Sequence, residues 1–161
     1  MPNWPGDEAV FPLCLPLIKQ FEGFSAAVYK DSAGIPTIGY GSITYPSGTP
    51  VTMNDPPITE PEAESYLSFQ MSQKSVAIAP FLQRAASLHQ AAAMLSLTYN
   101  IGTNAFKGSS VLRFFNANNI PAAADAFLMW DKATVDGQLV VVQGLFNRRT
   151  AERTIFLTAD S

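Results

Sequence analysis

Glu22, Asp31 and Thr37 are the residues of this chain whose types and spacing suit a reaction. Two carboxyl groups can divide the work of hydrolysing an acetal between sugars. One gives a proton to the departing oxygen. The other, ionised, activates water or attacks the anomeric carbon, and it faces the positive charge that develops there. The acid needs an apolar setting that favours its protonated form, and its partner needs a solvated one. Glu22 has Ile18, Phe21 and Phe24 for neighbours in sequence, whereas Asp31 lies between Lys30 and Ser32 in a polar stretch. Thr37, across a short turn from Asp31, is close enough to share one water with it. On spacing alone the plainer reading has more weight: a helix-end Glu, a turn Asp and a strand Thr with no chemistry between them.

Other chemistries find little support. Cys14 and His89 are each the only residue of their kind, and no HExxH, CxxC or GxSxG pattern occurs. A zinc site, a Ser-His-Asp triad and an internal disulfide all lack their parts. We therefore expect no metal and no cofactor, and His89 reads as an ordinary helix residue. A lone Cys suits synthesis in a reducing compartment.

The elements around the three residues follow from periodicity. Leu13, Leu17, Ile18 and Phe21 recur at helical spacing and predict a short helix over about 14–22, after an irregular lead-in over 1–12. Gly23 is its natural stop. Val28–Lys30 and Ile35–Tyr40 read as strands around an Asp31–Gly34 turn. Residues 42–58 read as a Pro-rich loop with one more short strand near 50–53. Thr59 and Glu62 make a capping box for a long helix to about 79. Helices follow over about 84–100, from Ser109 or Ser110 to 118, over 121–132 and over 144–157, with a turn at Asp136–Gly137. The prediction is an α+β fold: a single domain over 1–161, with a small hairpin lobe (about 13–58), a connecting helix (59–80) and a helical lobe (81–161). A cleft between lobes is a common ligand site.

The chain has 161 residues and a net charge of −3, and charged residues make up only 14%. An acidic balance argues against a dedicated nucleic-acid binder, which needs cations to displace phosphate counterions. Residues 1–80 hold three cations and eight anions, while 81–161 hold seven and five. No positive segment precedes an apolar run at the start, and Pro12 and Pro16 interrupt the apolar stretch over 9–18. Neither a secretory signal nor a stable membrane insertion is expected.

Three stretches together resemble the phage-type lysozymes, the group of glycoside hydrolase family 24. They are Leu17-Ile18-Lys19-Gln20-Phe21-Glu22-Gly23-Phe24, Tyr29-Lys30-Asp31 and Pro36-Thr37-Ile38-Gly39-Tyr40-Gly41. The Glu22–Asp31–Thr37 spacing matches that group's Glu–Asp–Thr triad without gaps. Tyr99-Asn100-Ile101-Gly102, Ala105-Phe106, Ser109-Ser110, Phe127 with Trp130, and Gly144-Leu145 with Arg148-Arg149 and Glu152 resemble its helical-lobe motifs in order. The likeness spans about residues 13–157. It departs from the group at Ser42, where many relatives have His, and in a longer loop over 43–58.

The resemblance implies a lysozyme-like fold and a muramidase, an endolysin that cleaves the β-1,4 bond between N-acetylmuramic acid and N-acetylglucosamine in peptidoglycan. By it Glu22 is the general acid, Asp31 and Thr37 position the attacking water, and Arg148, or else Arg149, pairs with Glu22. The competing reading of both arginines is a surface pairing with Glu152. Tyr40, Phe106 and Trp130 are candidate sugar-stacking faces, and Asn100, Asn104 and Asn116 are candidate donors to N-acetyl groups. Arg113, Arg148 and Arg149 are the cations expected to meet anionic peptidoglycan. Two alternatives stay open, a lytic transglycosylase and a catalytically silent peptidoglycan-binding module. A monomer is expected, made in the bacterial cytoplasm and acting on the periplasmic cell wall after holin-type release.

Overall fold

Helix α1 runs over Asp7–Glu22, seven residues earlier than the pattern predicts, with Pro12 and Pro16 inside it. A proline inside a helix removes one i→i−4 hydrogen bond and crowds the preceding turn. Here the two prolines are four apart and both exposed, in line with Glu8 and Gln20, so solvent can hydrate the carbonyls they leave unpaired. The opposite stripe, Val10, Cys14 and Ile18, is fully buried. Asp7 and Glu8 favour the start of the helix through its dipole. The irregular lead-in therefore shrinks to residues 1–6. Cys14 is a core residue, and that burial pushes its thiol up to about 12.

The structure, a computed structural model, describes all of residues 1–161. The chain divides into two compact units: Met1–Leu17 with Lys74–Ser161, and Ile18–Gln73. The boundaries fall inside helices, not in the loops where sequence would put them. The N-terminus belongs to the larger unit because Asn3 Nδ2 donates to the Leu82 carbonyl at 2.7 Å, Ala86 N donates to the Asn3 carbonyl, and Ser75 Oγ donates to Asp7 Oδ2 at 3.0 Å.

In the unit Ile18–Gln73, β1 (Ser25–Lys30) pairs antiparallel with β2 (Pro36–Gly39). Tyr29 stands opposite Thr37 and Lys30 opposite Pro36, with a bulge between Ser25 and Tyr29. The expected strand near 50–53 is a single bridge between Thr44 and Pro50. Helix α2 (Glu60–Ile78) starts at Thr59, whose Oγ1 accepts from Glu62 N at 3.3 Å and donates to Glu62 Oε1 at 3.0 Å. Ile38, Tyr40, Val51, Ala63, Leu67 and Met71 form the buried centre. Gly39, at φ +66°, lies so near α2 that an added Cβ would come within 3.0 Å of Ala63 Cβ.

The larger unit is built around α3 (Leu88–Ile101), in which Ala91 through Thr98 are all buried. Ser87 and Gln90 form a complete capping box there, and Asp160 accepts from the Leu88 and His89 amides. His89 Nδ1 meets Asp160 Oδ1 at 2.6 Å. Short helices α4 (Thr103–Lys107), α5 (Ser110–Asn116) and α6 (Ile120–Ala126) follow. The predicted helix over 121–132 ends early in a 3₁₀ turn, Phe127–Trp130. Strands β3 (Lys132–Val135) and β4 (Gln138–Val141) pair around Asp136 and Gly137, both at positive φ as a tight hairpin turn demands. Helix α7 (Gln143–Leu157) closes the unit, and its Phe156 packs on Phe115 and Phe127.

Candidate active site

Glu22 is the last residue of α1, and it is half-buried. Gly23 then turns the chain at φ +71°, its amide returning to the Lys19 carbonyl at 2.9 Å. Only two residues separate Glu22 from β1, so the helix end and the hairpin are locked in close succession. Of the expected apolar neighbours, Ile18 is fully buried, Phe21 is half-buried, and Phe24 is 41% exposed with its ring 5.7 Å from that of Tyr40.

Asp31 opens the hairpin turn, and its two carboxylate oxygens differ. Oδ1 accepts from the Ala33 amide at 2.8 Å and the Ile35 amide at 2.9 Å. The Asp31 amide donates to the Ile35 carbonyl at 3.0 Å, and Gly34 takes φ +79°. This Asx-type turn is why an Asp suits the position. Oδ2 has no hydrogen-bond partner in the protein, so one oxygen holds the turn and the other is left over.

Thr37 lies in β2, 3% exposed. Its Oγ1 donates to the Ile35 carbonyl at 2.8 Å. With its proton so committed, the hydroxyl can only accept from a further group. Residues directly opposite in an antiparallel pair share a face, and so do residues two apart on a strand. Tyr29 is opposite Thr37 and two before Asp31, so these three side chains gather on one side of the hairpin. The Tyr29 phenol is raised above its ordinary pKa by burial first, then by the charges of Glu22 and of Asp31. The charges of both carboxylates therefore act on this one ring. Sequence reasoning missed Tyr29 because an aromatic residue in a strand reads as packing.

Two of the expected sugar platforms need correction. Tyr40 is 4% exposed. Its hydroxyl donates to Glu60 Oε1 at 2.6 Å, its ring lies under Lys19 Nζ, and the bond to Glu60 drives its phenol up to about 12. Phe106 is fully buried in the helical unit. Neither ring has a face open to a sugar. Trp130 is half-buried at the end of its 3₁₀ turn.

The remaining candidates belong to the larger unit. Asn100 is exposed, and its Oδ1 accepts from Arg149 at 2.9 Å. Asn104 is exposed, with its side-chain amide open to solvent. Asn116 is tied down, its Nδ2 donating to the Phe81 carbonyl and its Oδ1 accepting from Gln83 N. Arg148 and Arg149 are not surface cations: they are 4% and 0% exposed, and both face the fully buried Glu152. Arg149 donates to both oxygens of Glu152, and Arg148 Nε lies 3.8 Å from Oε1. Burial pushes the Glu152 carboxyl up to about 7, against the opposing pull of Arg149 and Arg148. Of the three arginines expected to meet peptidoglycan, Arg113 alone is exposed. No cluster of His, Cys, Asp or Glu could hold a metal ion, and no helix is long and apolar enough to cross a membrane.

A helix-end carboxyl, a turn carboxylate and a strand threonine on a hairpin suit a glycoside hydrolase of the lysozyme class. The phage lysozyme family profile matches residues 19–152, and the chain belongs to that family. The endolysin of Salmonella phage P22 is 38% identical over 141 residues, 88% of this chain and 92% of its own. Among solved structures, the endolysin from Escherichia coli O157:H7 phage FAHEc1 superposes with a TM-score of 0.82 at 40% identity, covering 89% of each chain. The muramidase domain of SpmX from Asticaccaulis excentricus gives 0.79 at 31% identity, covering 90% of this chain and 95% of that one. The activity of this chain is accordingly peptidoglycan hydrolysis in host lysis.

Proposed function

We propose that the chain is an endo-acting muramidase that hydrolyses the β-1,4 bond between N-acetylmuramic acid and N-acetylglucosamine. The observation behind this is the paired acceptors on the hairpin: Asp31 Oδ2, left over when Oδ1 holds the turn, and Thr37 Oγ1, whose own proton goes to the Ile35 carbonyl. A water donating one hydrogen to each turns a lone pair outward. As that oxygen bonds to the anomeric carbon, its proton passes to Asp31, the glycosidic bond breaks, and the leaving oxygen takes a proton from Glu22. In this reading Asn100 and Asn104 hydrogen-bond the glycan. The protein acts as a monomer, made in the cytoplasm of an infected bacterium and reaching the periplasmic wall through a holin-type lesion.

A lytic transglycosylase needs the acid but no water, and the water-holding pair speaks against it. Mass spectrometry of sacculi digested with wild type and with Glu22→Gln separates the readings. Reducing N-acetylmuramic acid ends from the wild type and none from the variant are expected. Anhydro ends, or full activity in Glu22→Gln, overturn the proposal.

A further inference from the structure

Each catalytic group of the proposed reaction has its hydrogen-bonding capacity engaged. Glu22 gives its proton to the leaving oxygen, and Asp31 Oδ2 and Thr37 Oγ1 receive the hydrogens of the water. None of the three is left to donate to the sugar itself. A glycan offers chiefly acceptors and hydroxyls, and it must be held in register for the water to meet the anomeric carbon. Tyr29 supplies the missing kind of group. It stands directly across from Thr37 and on the same face as Asp31, half-buried, and its hydroxyl makes no hydrogen bond within the protein.

We propose, on the muramidase reading above, that Tyr29 Oη is a substrate-binding donor, bonding a hydroxyl or amide oxygen of the glycan strand beside the scissile linkage. Burial and the two neighbouring carboxylates favour the neutral phenol, so it remains a donor throughout the neutral range. Its ring, fixed by β1, sets where that donor points. The bond goes to a part of the sugar that does not change during the reaction, so it contributes alike to ground and transition states. Such uniform binding governs KM and leaves kcat alone.

Tyr29→Phe removes the hydroxyl and keeps the ring. On soluble uncross-linked peptidoglycan strands, the variant is expected to raise KM roughly 3- to 10-fold, the range for one neutral hydrogen bond, with kcat within about twofold of wild type. Its thermal midpoint and the pH limbs of kcat/KM should match the wild type. An unchanged KM overturns the proposal. So does a fall in kcat with displaced pH limbs, which would place the phenol's action on Glu22 or Asp31. Glu22→Gln, run beside it, keeps the two claims apart. Activity in that variant defeats the muramidase reading, while an inactive Glu22→Gln with a wild-type Tyr29→Phe defeats only the assignment of Tyr29.

Discussion

Asp31 does two things with one side chain, and the two can be separated by substitution. Oδ1 stabilises the hairpin turn through the Ala33 and Ile35 amides, while Oδ2 is the proposed base. An asparagine keeps an amide-accepting oxygen in the same place but cannot take a proton. Asp31→Asn should therefore lower kcat by roughly 10²- to 10⁴-fold, the usual range for a positioned acid or base. It should cost less than about 1.5 kcal/mol of stability, the scale of weakening a hydrogen bond. Asp31→Ala should lose as much activity and more stability, because both amides lose their acceptor. Denaturant titration beside kcat measures this, and a stable but active Asp31→Asn would remove Asp31 from the mechanism. At this scale the sequence was readable where short-range rules act, as in the glycine stop after Glu22 and the Asx turn at Asp31. Tyr40 and Phe106 were misread because a ring's exposure depends on what packs over it, and nothing within a few residues records that.

The loop between β2 and α2 shows how an element without regular structure is held. Its Pro-rich composition suggests looseness, yet Asp55 ties it together. Tyr45 Oη donates to Asp55 Oδ2 at 2.8 Å, Thr52 N donates to the same oxygen at 2.9 Å, and Thr52 Oγ1 donates to Oδ1 at 2.6 Å. Gln70 Nε2 reaches the Thr44 carbonyl, and the Tyr45 ring stands edge-on to Tyr66. The Thr52 hydroxyl above all, then the Thr52 amide and the Tyr45 hydroxyl, hold the Asp55 carboxyl below its ordinary pKa of 3.8. A depressed carboxyl pKa means the folded loop binds fewer protons than the open one. Its contribution is thus full above the ordinary value and is lost as pH falls through the folded one. Protection of the Thr52 and Gly48 amides, corrected for the pH dependence of intrinsic exchange, should fall as pH drops below the ordinary carboxyl value, before the amides of α3 respond. Simultaneous exposure of loop and α3 would show that Asp55 does not govern the loop. The start of α1 has a similar lesson. Two prolines hide a helix from a periodicity search, and only the knowledge that both face solvent makes them tolerable there.

Charge belongs to the whole molecule, and its reading changes once burial is known. The unit Ile18–Gln73, which holds Glu22, Asp31 and Thr37, has two cations, Lys19 and Lys30, against six anions. Lys19 is already paired with Glu64 at 2.8 Å. The larger unit's cations are fewer in effect than in sequence, because Arg148 and Arg149 are buried against Glu152. Sequence could count these arginines but not tell a surface cation from a buried one, since their i,i+3 and i,i+4 spacing to Glu152 fits either place. The surface that meets a carboxylate-bearing wall is thus more acidic around the proposed chemistry than the net charge of −3 suggests. Like charges repel over a Debye length of about 30 Å at 10 mM salt and about 10 Å at 100 mM. Lysis of outer-membrane-stripped sacculi should therefore speed up severalfold between those two concentrations, through KM and not through kcat. A Ser65→Lys, Gln73→Lys double variant, altered at exposed α2 positions whose side chains make no hydrogen bond, should be faster at about 10 mM and less sensitive to salt. Turbidity clearing across a salt series checks both. A steady fall in rate from 10 mM upward would mean that attraction by exposed cations such as Arg113 prevails over the acidic unit.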